Sequence, residues 1–316
     1  MTEIASIGFY NVENLFDVYN DQETLDDEFT PKGERNWNNK KYQNKTFKIA
    51  RTIKLLNQND SLPVLFGLCE IENRKVIDAI LQHDELYKTY KIVHYNSPDE
   101  RGIDVALLYN HQEFILKDSF PIEINYHNEK GIRDFTRDIL YVNGLFKEVL
   151  LHIFVVHLPS KREQDINRNL RIFAMQQLQN HIQKIRNQYE NPAILVLGDF
   201  NSNPNDKDLK QILLSEGNEN LIIENQLFNP FELLYKNQYF STFHKEEGLL
   251  FDQILLSKYF LDKNSIIQFH SAEVHNTEKL KNYDKHFENQ PFRTYRGNQY
   301  LGGFSDHFPV KVQWKI

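Results

Sequence analysis

Two short motifs of this chain carry the side chains that are best suited to chemistry. Gly198-Asp199-Phe200-Asn201 follows the apolar run Ile194–Leu197, and Ser305-Asp306-His307 stands just before the apolar run Pro309–Trp314. Enzymes with strands buried between helices place catalytic groups in this way, on loops at the ends of those strands. An Asp-His pair combined with an Asp-x-Asn segment indicates hydrolysis of a phosphoester with the help of a divalent metal ion.

Further polar residues lie at the ends or edges of other apolar runs. Asn11 follows the first apolar run, and Glu70 ends the run that begins at residue 64. His157 ends a later run, and Asp252 interrupts another. Taken singly, each residue has a structural explanation. An Asn is often a turn residue, a His can be a satisfied core group, and an acid in an apolar run needs a partner once buried.

The complete set of four acids, two histidines and two asparagines favours a functional explanation. A parallel-type sheet gathers the ends of its strands in one crevice, so these side chains are expected to converge. Carboxylate and amide oxygens are hard ligands suited to Mg²⁺ or Mn²⁺. Two histidines can provide acid–base and charge-stabilising functions at neutral pH.

The pattern of apolar runs predicts the elements that position these groups. Several runs are continuously apolar, which is typical of strands covered on both faces. The predicted strands are Ile4–Val12, Val64–Cys69, Val105–Tyr109, Ile139–Phe146, Leu150–His157, Ala193–Leu197, Phe251–Leu256 and Pro309–Trp314. Amphipathic spacing and cap signals predict helices over Lys40–Leu56, Lys75–Leu81, Glu163–Tyr189 and Asp206–Leu214. Strands interleaved with helices indicate a layered α/β domain.

The chain shows no internal repeat, low-complexity linker or break in composition. A single domain over residues 1–316 is therefore expected. The segment from about Glu273 to Gly303 is polar, rich in aromatic residues and weakly periodic. We expect it to be a long loop beside the Asp-His pair, and long ordered loops are often functional.

Composition excludes several classes of protein. With 40% hydrophobic and 13% aromatic residues, the chain can bury a sizeable core. No apolar stretch reaches the length of about 18 residues that a membrane span needs. The first residues show no basic segment followed by an apolar one, so a cytoplasmic location is expected. The single cysteine, Cys69, permits neither an intrachain disulfide nor a Cys-based zinc site.

The formal net charge of −7 argues against a broad basic surface for duplex DNA. Two groups of basic residues nevertheless occur, one over Lys40–Lys54 and the other over Lys161–Arg171. They are predicted to form solvated helix faces, and a local basic rim around an acidic metal centre is the alternative.

Seven segments together resemble the endonuclease/exonuclease/phosphatase superfamily, which includes deoxyribonuclease I, AP endonucleases, inositol polyphosphate 5-phosphatases, neutral sphingomyelinases and deadenylases. The segments are, in order, Asn11-Val12-Glu13-Asn14, Cys69-Glu70, Arg101-Gly102-Ile103-Asp104, His157-Leu158-Pro159-Ser160, Gly198-Asp199-Phe200-Asn201, Phe251-Asp252 and Ser305-Asp306-His307. They extend from residue 11 to residue 307, and Gly-Asp-x-Asn with Ser-Asp-His in this order is a specific combination. The resemblance implies a four-layer α/β sandwich, in which two packed mixed β-sheets are flanked by helices, as in deoxyribonuclease I.

The resemblance also implies a metal centre and an attacking water. Glu70, with Asn11 and Asp306 close by, would hold a catalytic Mg²⁺ or Mn²⁺ that polarises a phosphoryl oxygen. Asp199 and Asn201 would orient or deprotonate the water and contact the phosphate.

The two histidines receive roles in the same way. His307 would contact the scissile phosphate or help to activate water, and Asp252 would fix its imidazole ring. His157 would stand on the leaving-group side, as a general acid or a phosphate ligand, with Asp104 as the candidate to support it. Arg137, at the start of a predicted strand, is a candidate to point toward the cleft.

Four residues are candidates for substrate binding. Lys161 and Arg162 place two cations beside the proposed leaving-group side, where they suit a further phosphate. The alternative is that they begin the next helix and face water. Arg296 and Tyr300, in the loop before the Asp-His pair, suit phosphate binding and stacking on a base or sugar. The alternative is a structural loop packed by its own aromatic residues.

The leading hypothesis is a metal-dependent phosphodiester hydrolase, in the first place a nuclease that cuts as an endonuclease. The alternative, favoured by the acidic net charge, is a phosphatase or phosphodiesterase that acts on a small phosphorylated molecule such as an inositol phosphate. A third hypothesis, a catalytically silent binding protein, is disfavoured because the whole polar set is retained. The expected partner is nucleic acid or a small phosphoester substrate, with no membrane and no obligate protein partner.

Overall fold

Two β-sheets that pack face to face form the centre of the protein. The computed structural model describes residues 3–57, 61–161 and 165–316. Along these residues the strands are β1 (Ile4–Leu15), β2 (Leu65–Ile71), β3 (Tyr90–His94), β4 (Asp104–Asn110), β5 (Phe114–Ile122), β6 (Tyr126–His127), β7 (Arg133–Asp134), β8 (Ile139–Phe146), β9 (Val149–His157), β10 (Ala193–Asp199), β11 (Ser215–Glu216), β12 (Leu227–Phe228), β13 (Thr242–His244), β14 (Glu247–Leu249), β15 (Asp252–Ser257), β16 (Gln268–Val274), β17 (Tyr295–Arg296), β18 (Gln299–Tyr300) and β19 (Val310–Lys315). The helices are α1 (Asn39–Leu55), α2 (Arg74–Gln82), α3 (Arg168–Gln188), α4 (Lys207–Ile212) and α5 (Phe231–Lys236).

Both large sheets are mixed. Within the described residues, the first has six strands in the order β16-β19-β1-β2-β4-β3, and the second has seven in the order β11-β12-β15-β10-β9-β8-β5. β1 is parallel to β2 and antiparallel to β19, while β10 is parallel to β9 and antiparallel to β15. Each sheet therefore has a pair of parallel strands at its centre, and the carboxyl ends of such a pair lie at one edge.

Alternation of side chains along the central strands produces the layers. Leu65 of β2 and Leu195 of β10 belong to the core between the two sheets. Their neighbours Phe66 and Val196 point to the opposite faces, where they pack with α1 and α2 or with α3. The order of layers is helices, sheet, sheet and helix, which confirms the predicted four-layer α/β sandwich.

All eight predicted strands are present, with ends that differ by at most three residues. The longer strands that were not predicted, β3, β5 and β16, each lie at an edge of a large sheet. Most residues of β5 are at least partly exposed. A strand at an edge lacks neighbours on one side, and its sequence lacks the continuous apolar run that identifies a central strand.

The four predicted helices are also present, and the structure refines their ends. α3 is described over Arg168–Gln188, and the predicted start at Glu163 falls on residues 162–164, which lie outside the described part of the chain. The predicted loop from Glu273 begins with the last residues of β16 and contains the short hairpin of β17 and β18. Nowhere in the described chain does a helix combine the length and apolarity needed to cross a bilayer.

The prediction that the basic residues form solvated helix faces is wrong for two of them. Lys45 of α1 is 0% exposed and Arg171 of α3 is 1% exposed. Nζ of Lys45 donates to the backbone oxygen of Phe304 at 2.7 Å, and Arg171 donates to the backbone oxygen of Pro159 at 3.1 Å. Both cations therefore fix loops to the helices instead of facing water.

The core between the sheets joins residues from both ends of the chain. It extends from Ala5 to Trp314 and includes central residues of both sheets, such as Leu107 and Leu197. We therefore propose that the chain forms the single domain expected from its sequence.

Replacing a residue of this shared core tests that proposal. Leu197→Ala is expected to lower the free energy of unfolding by about 2–5 kcal/mol, because a buried leucine leaves a cavity between the sheets. Leu221→Ala is the matched control, since Leu221 is 60% exposed, and should change stability by about 0.5 kcal/mol or less. Urea denaturation followed by circular dichroism measures both. Two separate transitions, or equal losses in the two variants, would contradict a common core.

Candidate active site

The predicted catalytic residues lie where the ends of central strands from both sheets meet. In the second sheet, the register places Asp199 of β10 between His157 of β9 and Asp252 of β15. In the first sheet, Asn11 and Glu70 lie on the neighbouring strands β1 and β2. The parallel pairs in the middle of the two sheets thus bring their polar ends to one place, as predicted from the sequence.

Irregular backbone directs the polar side chains of the first sheet. The register of β1 against β2 shifts after Asn11, and that of β2 against β4 shifts at Glu70. Glu70 has a φ of 61° and Asn14 a φ of 49°, values that residues other than glycine seldom adopt. The backbone nitrogen of Asn14 donates to Oε2 of Glu70 at 2.8 Å, so the two distorted positions hold each other. Bulges re-aim side chains in this way, and such strain is concentrated at functional sites.

One amide group bridges the two sheets. Nδ2 of Asn11 is 3.0 Å from Oδ2 of Asp199 and 3.3 Å from Oε1 of Glu70. Nε2 of His157 lies 3.8 Å from the same two carboxylate oxygens. These four side chains therefore form one compact polar cluster at the junction of β1, β2, β9 and β10.

An Asp-His pair adjoins this cluster. Nδ1 of His307 is 2.6 Å from Oδ2 of Asp252, and both side chains are buried. Nε2 of His307 is left facing Asp306, with Oδ1 at 3.9 Å. The hydroxyl of Ser305 donates to the backbone oxygen of Asn11 at 2.7 Å and thereby ties the Asp-His loop to β1.

Burial and neighbouring charges shift the pKa values of Asp199 and His307. Burial, reinforced by the charge of Asp252, raises the pKa of Asp199 to about 7. Burial acts to lower the pKa of His307, but the ion pair with Asp252 and the charges of Asp306 and Asp199 outweigh it and raise this pKa to about 10. Carboxylates thus outnumber cations here, which is an electrostatic environment that favours a bound cation.

The oxygen donors of the site fit a hard divalent cation. Glu70 and Asp306 supply carboxylates, which are a ligand type of Mg²⁺ and Mn²⁺. The amide oxygen of Asn11 accepts from the backbone nitrogen of Glu13 at 3.0 Å, and its Nδ2 is the atom that faces the acids. The buried Oδ1 of Asp252 has no hydrogen-bond partner within the described residues. Such an atom requires water, an ion or a substrate group nearby.

A second set of possible ligands is present. Within the described residues, Asp199, Asp252 and His307 have ligand atoms within 4.8 Å of one another. His307 also contacts Asp252 through Nδ1, so these residues form an ion pair as well as a possible ligand group.

Sequence reasoning missed a buried ion pair beside the cluster. Oε2 of Glu13 lies 3.8 Å from Nζ of Lys45, which also donates to Oγ1 of Thr294. Burial lowers the pKa of Lys45, and the charges of Glu13, Asp306 and Glu70 oppose that shift. These acids therefore converge around Lys45. Lys45 lies four and eight residues before the buried Ile49 and Ile53 on α1. This helical spacing is the feature of the sequence from which its burial could have been predicted.

The two predicted supporting residues, Arg137 and Asp104, have different partners. Arg137 donates to the backbone oxygens of His157 at 3.2 Å and Leu158 at 3.1 Å, so it holds the loop that follows β9, and its contact with the cleft stays a prediction. Nδ2 of Asn201 also donates to the oxygen of Leu158, at 2.8 Å. Asp104 binds Ser97 and lies 3.3 Å from Nε2 of His94, and its support of His157 stays a prediction.

The predicted substrate-binding residues do not form one group. Lys161 pairs with Asp206, and Arg162 lies outside the described residues. Tyr300 accepts a hydrogen bond of 3.0 Å from Asn44 of α1, and this contact fits the structural alternative for the loop. Arg296 lines a cavity beside Asp306.

The chain matches the model of the Endonuclease/Exonuclease/phosphatase family over residues 6–315. No curated protein matches it. Among solved structures, humanized D. rerio TDP2 with 14 mutations is 16% identical, with 99% of each chain covered and a TM-score of 0.61. D. rerio TDP2 complexed with single strand DNA product is 16% identical, with 99% of each chain covered and a TM-score of 0.59. The human Nocturnin catalytic domain with bound sulfate is 16% identical, with 99% of this chain and 97% of that chain covered and a TM-score of 0.59.

At these identities the solved structures show a shared fold, and the family match covers almost the whole length of the chain. Both agree with the two packed mixed sheets and with the deoxyribonuclease I-like sandwich that the sequence motifs implied. The protein is a member of the endonuclease/exonuclease/phosphatase family.

Proposed function

We propose that this protein is a Mg²⁺- or Mn²⁺-dependent phosphodiester hydrolase, in the first place a nuclease that cuts within a strand. The observation that carries the proposal is the junction of the two sheets. There, the Asn11 amide bridges Glu70 and Asp199, and the Asp252–His307 pair lies beside them. Oxygen donors for a cation, a candidate base and a candidate phosphate-binding imidazole are thus assembled in one place.

Glu70 and Asp306 are proposed to hold the cation, with Asn11 close by, where its Nδ2 donates to Glu70 and orients that carboxylate. When bound, the ion would polarise a phosphoryl oxygen and stabilise the negative charge that develops on it. The hydrogen bonds from Asn14 to Glu70 and from Arg293 to Asp306, at 2.8 and 3.1 Å, orient the two carboxylates.

Asp199 is proposed to position and deprotonate the attacking water. Its Oδ1 accepts from the backbone nitrogen of Asn201 at 2.8 Å and its Oδ2 from Asn11, so its plane is fixed. Asn201 is proposed to contact the phosphate through its remaining amide oxygen. A general base can accept a proton from water only when it is oriented toward that water, and its pKa then decides how readily it does so.

The two histidines complete the proposed mechanism from opposite sides. Asp252 holds Nδ1 of His307, so Nε2 is directed to the phosphate, in the manner of a carboxylate that fixes an imidazole. His157 is proposed to act on the leaving-group side, as a proton donor or phosphate ligand. Arg137 keeps the backbone of His157 in place by donating a hydrogen bond to the His157 carbonyl oxygen.

Nucleic acid is the first candidate substrate. D. rerio TDP2 has the same fold and was solved with a single strand DNA product, which supports a strand as substrate here. A small phosphoester is the second candidate, because the net charge of −7 provides no broad basic surface for a duplex. The silent-binding hypothesis is disfavoured, since the polar set is both complete and assembled.

Nicking of supercoiled plasmid in Mg²⁺ tests the nuclease proposal directly. The wild-type protein is expected to convert supercoiled to relaxed circles, and His307→Ala prepared identically is expected not to, which controls for a contaminating nuclease. If neither protein nicks the plasmid while phosphate is released from small phosphoesters such as inositol phosphates, the second candidate replaces the first.

Removal of the metal should abolish turnover. We expect activity to disappear in excess chelator and to return with Mg²⁺ or Mn²⁺. In Glu70→Gln the Mg²⁺ concentration for half-maximal activity should rise about tenfold or more, because one charged ligand is lost. Glu129→Gln, at an exposed position, is the matched control. Activity that persists under full chelation would exclude the mechanism.

Removal of the imidazole should lower the rate, and the loss of the buried pair with Asp252 should also lower the free energy of unfolding. His307→Ala is expected to lower kcat by about 10²–10⁴, as is typical for a residue that acts on protons or charge in the transition state. Asp252→Asn should lower kcat in the same direction, because the ring loses its orientation. His127→Ala, at an exposed position, should keep the wild-type rate. Circular dichroism checks folding, and near-normal rates in the first two variants would argue against the assignment.

A further inference from the structure

A cavity opens beside Asp306. Its volume is about 210 Å³, and its lining includes Lys245, Arg293, Arg296 and Phe287. Pockets that enclose a whole drug-sized ligand measure about 300–1,000 Å³. The cavity therefore has room for one substituent of a substrate and not for a complete large ligand.

The charge of the lining is positive, with three cations and one carboxylate. Nη2 of Arg293 donates to Oδ2 of Asp306 at 3.1 Å, which is a single bond for a group with five N–H donors. The guanidinium of Arg296 is stacked on Phe287, with its central carbon 3.4 Å from the ring centroid. Within the described residues, no carboxylate pairs with Arg296. A stacked guanidinium keeps its N–H edge available for bidentate binding of a phosphate.

Arg293 and Arg296 flank two residues of the loop whose backbone is anchored by hydrogen bonds. The backbone nitrogens of Thr294 and Tyr295 donate to Glu13 at 2.6 and 3.1 Å. Glu13 in turn pairs with the fully buried Lys45 of α1. A backbone anchored in this way positions the arginines before a ligand arrives, which reduces the entropy lost on binding.

Asp306 connects the cavity to the catalytic cluster. Its Oδ2 contacts Arg293 in the cavity, and its Oδ1 lies 3.9 Å from Nε2 of His307. A group bound in the cavity would therefore adjoin the phosphate that His307 is proposed to contact.

We propose that this cavity binds a second phosphate group of the substrate, next to the phosphodiester that is hydrolysed. The inference rests on the proposed function and deepens it, because it names the substrate class. The substrate carries a phosphate close to the scissile bond, either at the end of a nucleic-acid strand or on a small polyphosphorylated molecule.

A pair of chromogenic substrates measures the contribution of that phosphate. Thymidine 5′-(p-nitrophenyl phosphate) and its 3′-phosphorylated form have the same scissile bond. The wild type is expected to hydrolyse the phosphorylated form with a kcat/KM about tenfold higher or more, equivalent to about 1.4 kcal/mol. Arg296→Ala should bring the ratio of the two kcat/KM values close to one, and Arg296→Lys should leave an intermediate ratio. Arg74→Ala, whose side chain is 55% exposed on α2, should keep the wild-type ratio.

Calorimetric titration with inorganic phosphate in excess chelator examines the cavity without turnover. Wild type and Arg74→Ala should bind phosphate, whereas Arg296→Ala and Lys245→Ala should bind it about tenfold more weakly or worse. No binding by the wild type, or equal binding by all variants, overturns the inference.

The two measurements separate the inference from the proposed function. Phosphate binding through Arg296, without hydrolysis of either substrate and without nicking of plasmid, would support the cavity and reject the proposed function. Hydrolysis of both substrates with equal efficiency, together with unchanged phosphate binding in Arg296→Ala, would support the proposed function and reject the phosphate site in the cavity. Short single-stranded DNA with and without a terminal phosphate identifies the source. A preference that depends on Arg296 in the DNA pair assigns a strand end, and one confined to the thymidine pair assigns a small molecule.

Discussion

The hydrogen bonds from the Asn11 amide to Glu70 and Asp199 join the two sheets at the point where their acids meet. Carboxylates brought together in a low-dielectric environment repel one another strongly. Burial and the charge of the neighbouring Asp252 raise the pKa of Asp199 to about 7, and the hydrogen bond from Asn11 opposes this shift. A neutral donor between two acids reduces the repulsion without adding a charge, and the remainder of the site depends on this arrangement.

Each of the other acids has a counter-group elsewhere in the chain. Glu13 faces Lys45 of α1, Asp306 faces Arg293 of the same loop, and Asp252 faces His307. The Glu13–Lys45 and Asp252–His307 pairs are buried, and breaking a buried pair leaves an uncompensated charge, which costs several kcal/mol, roughly 3–5 in measured cases. The same contacts fix the loop before β19 to β1 and α1. Compensation of charge and placement of the catalytic loop are thus achieved by one set of interactions.

Backbone strain is concentrated in the same region. Glu13, Asn14, Glu70 and Asn201 all have positive φ values, between 47° and 61°. Most of them are held by hydrogen bonds to site carboxylates or amides, such as the bond of 2.8 Å from the backbone of Asn201 to Asp199. Residues in this conformation cost about 1–3 kcal/mol each and persist when their surroundings hold them. The polar cluster therefore stabilises the backbone that positions it.

The sequence by itself determined the central strands, helices α1 to α4 and the identity of the polar residues at the strand ends. Continuous apolar runs identify strands covered on both faces, and β1, β2, β9 and β10 all carry that signal. The edge strands β3, β5 and β16 lack it, because exposed strands have a mixed composition. The local pattern of apolar residues was therefore sufficient to predict fully buried strands and insufficient to predict the strands at the edges of the sheets.

Only the tertiary structure decided how the polar residues are paired. Lys45 belongs to a run of basic residues that indicates a solvated face, yet it is fully buried against Glu13. Arg137 and Asp104 also proved to have partners that their positions in the sequence do not indicate. The reason is physical. Apolar periodicity records how much of a residue is covered, whereas an ion pair depends on which segments, distant along the chain, meet when the two sheets pack.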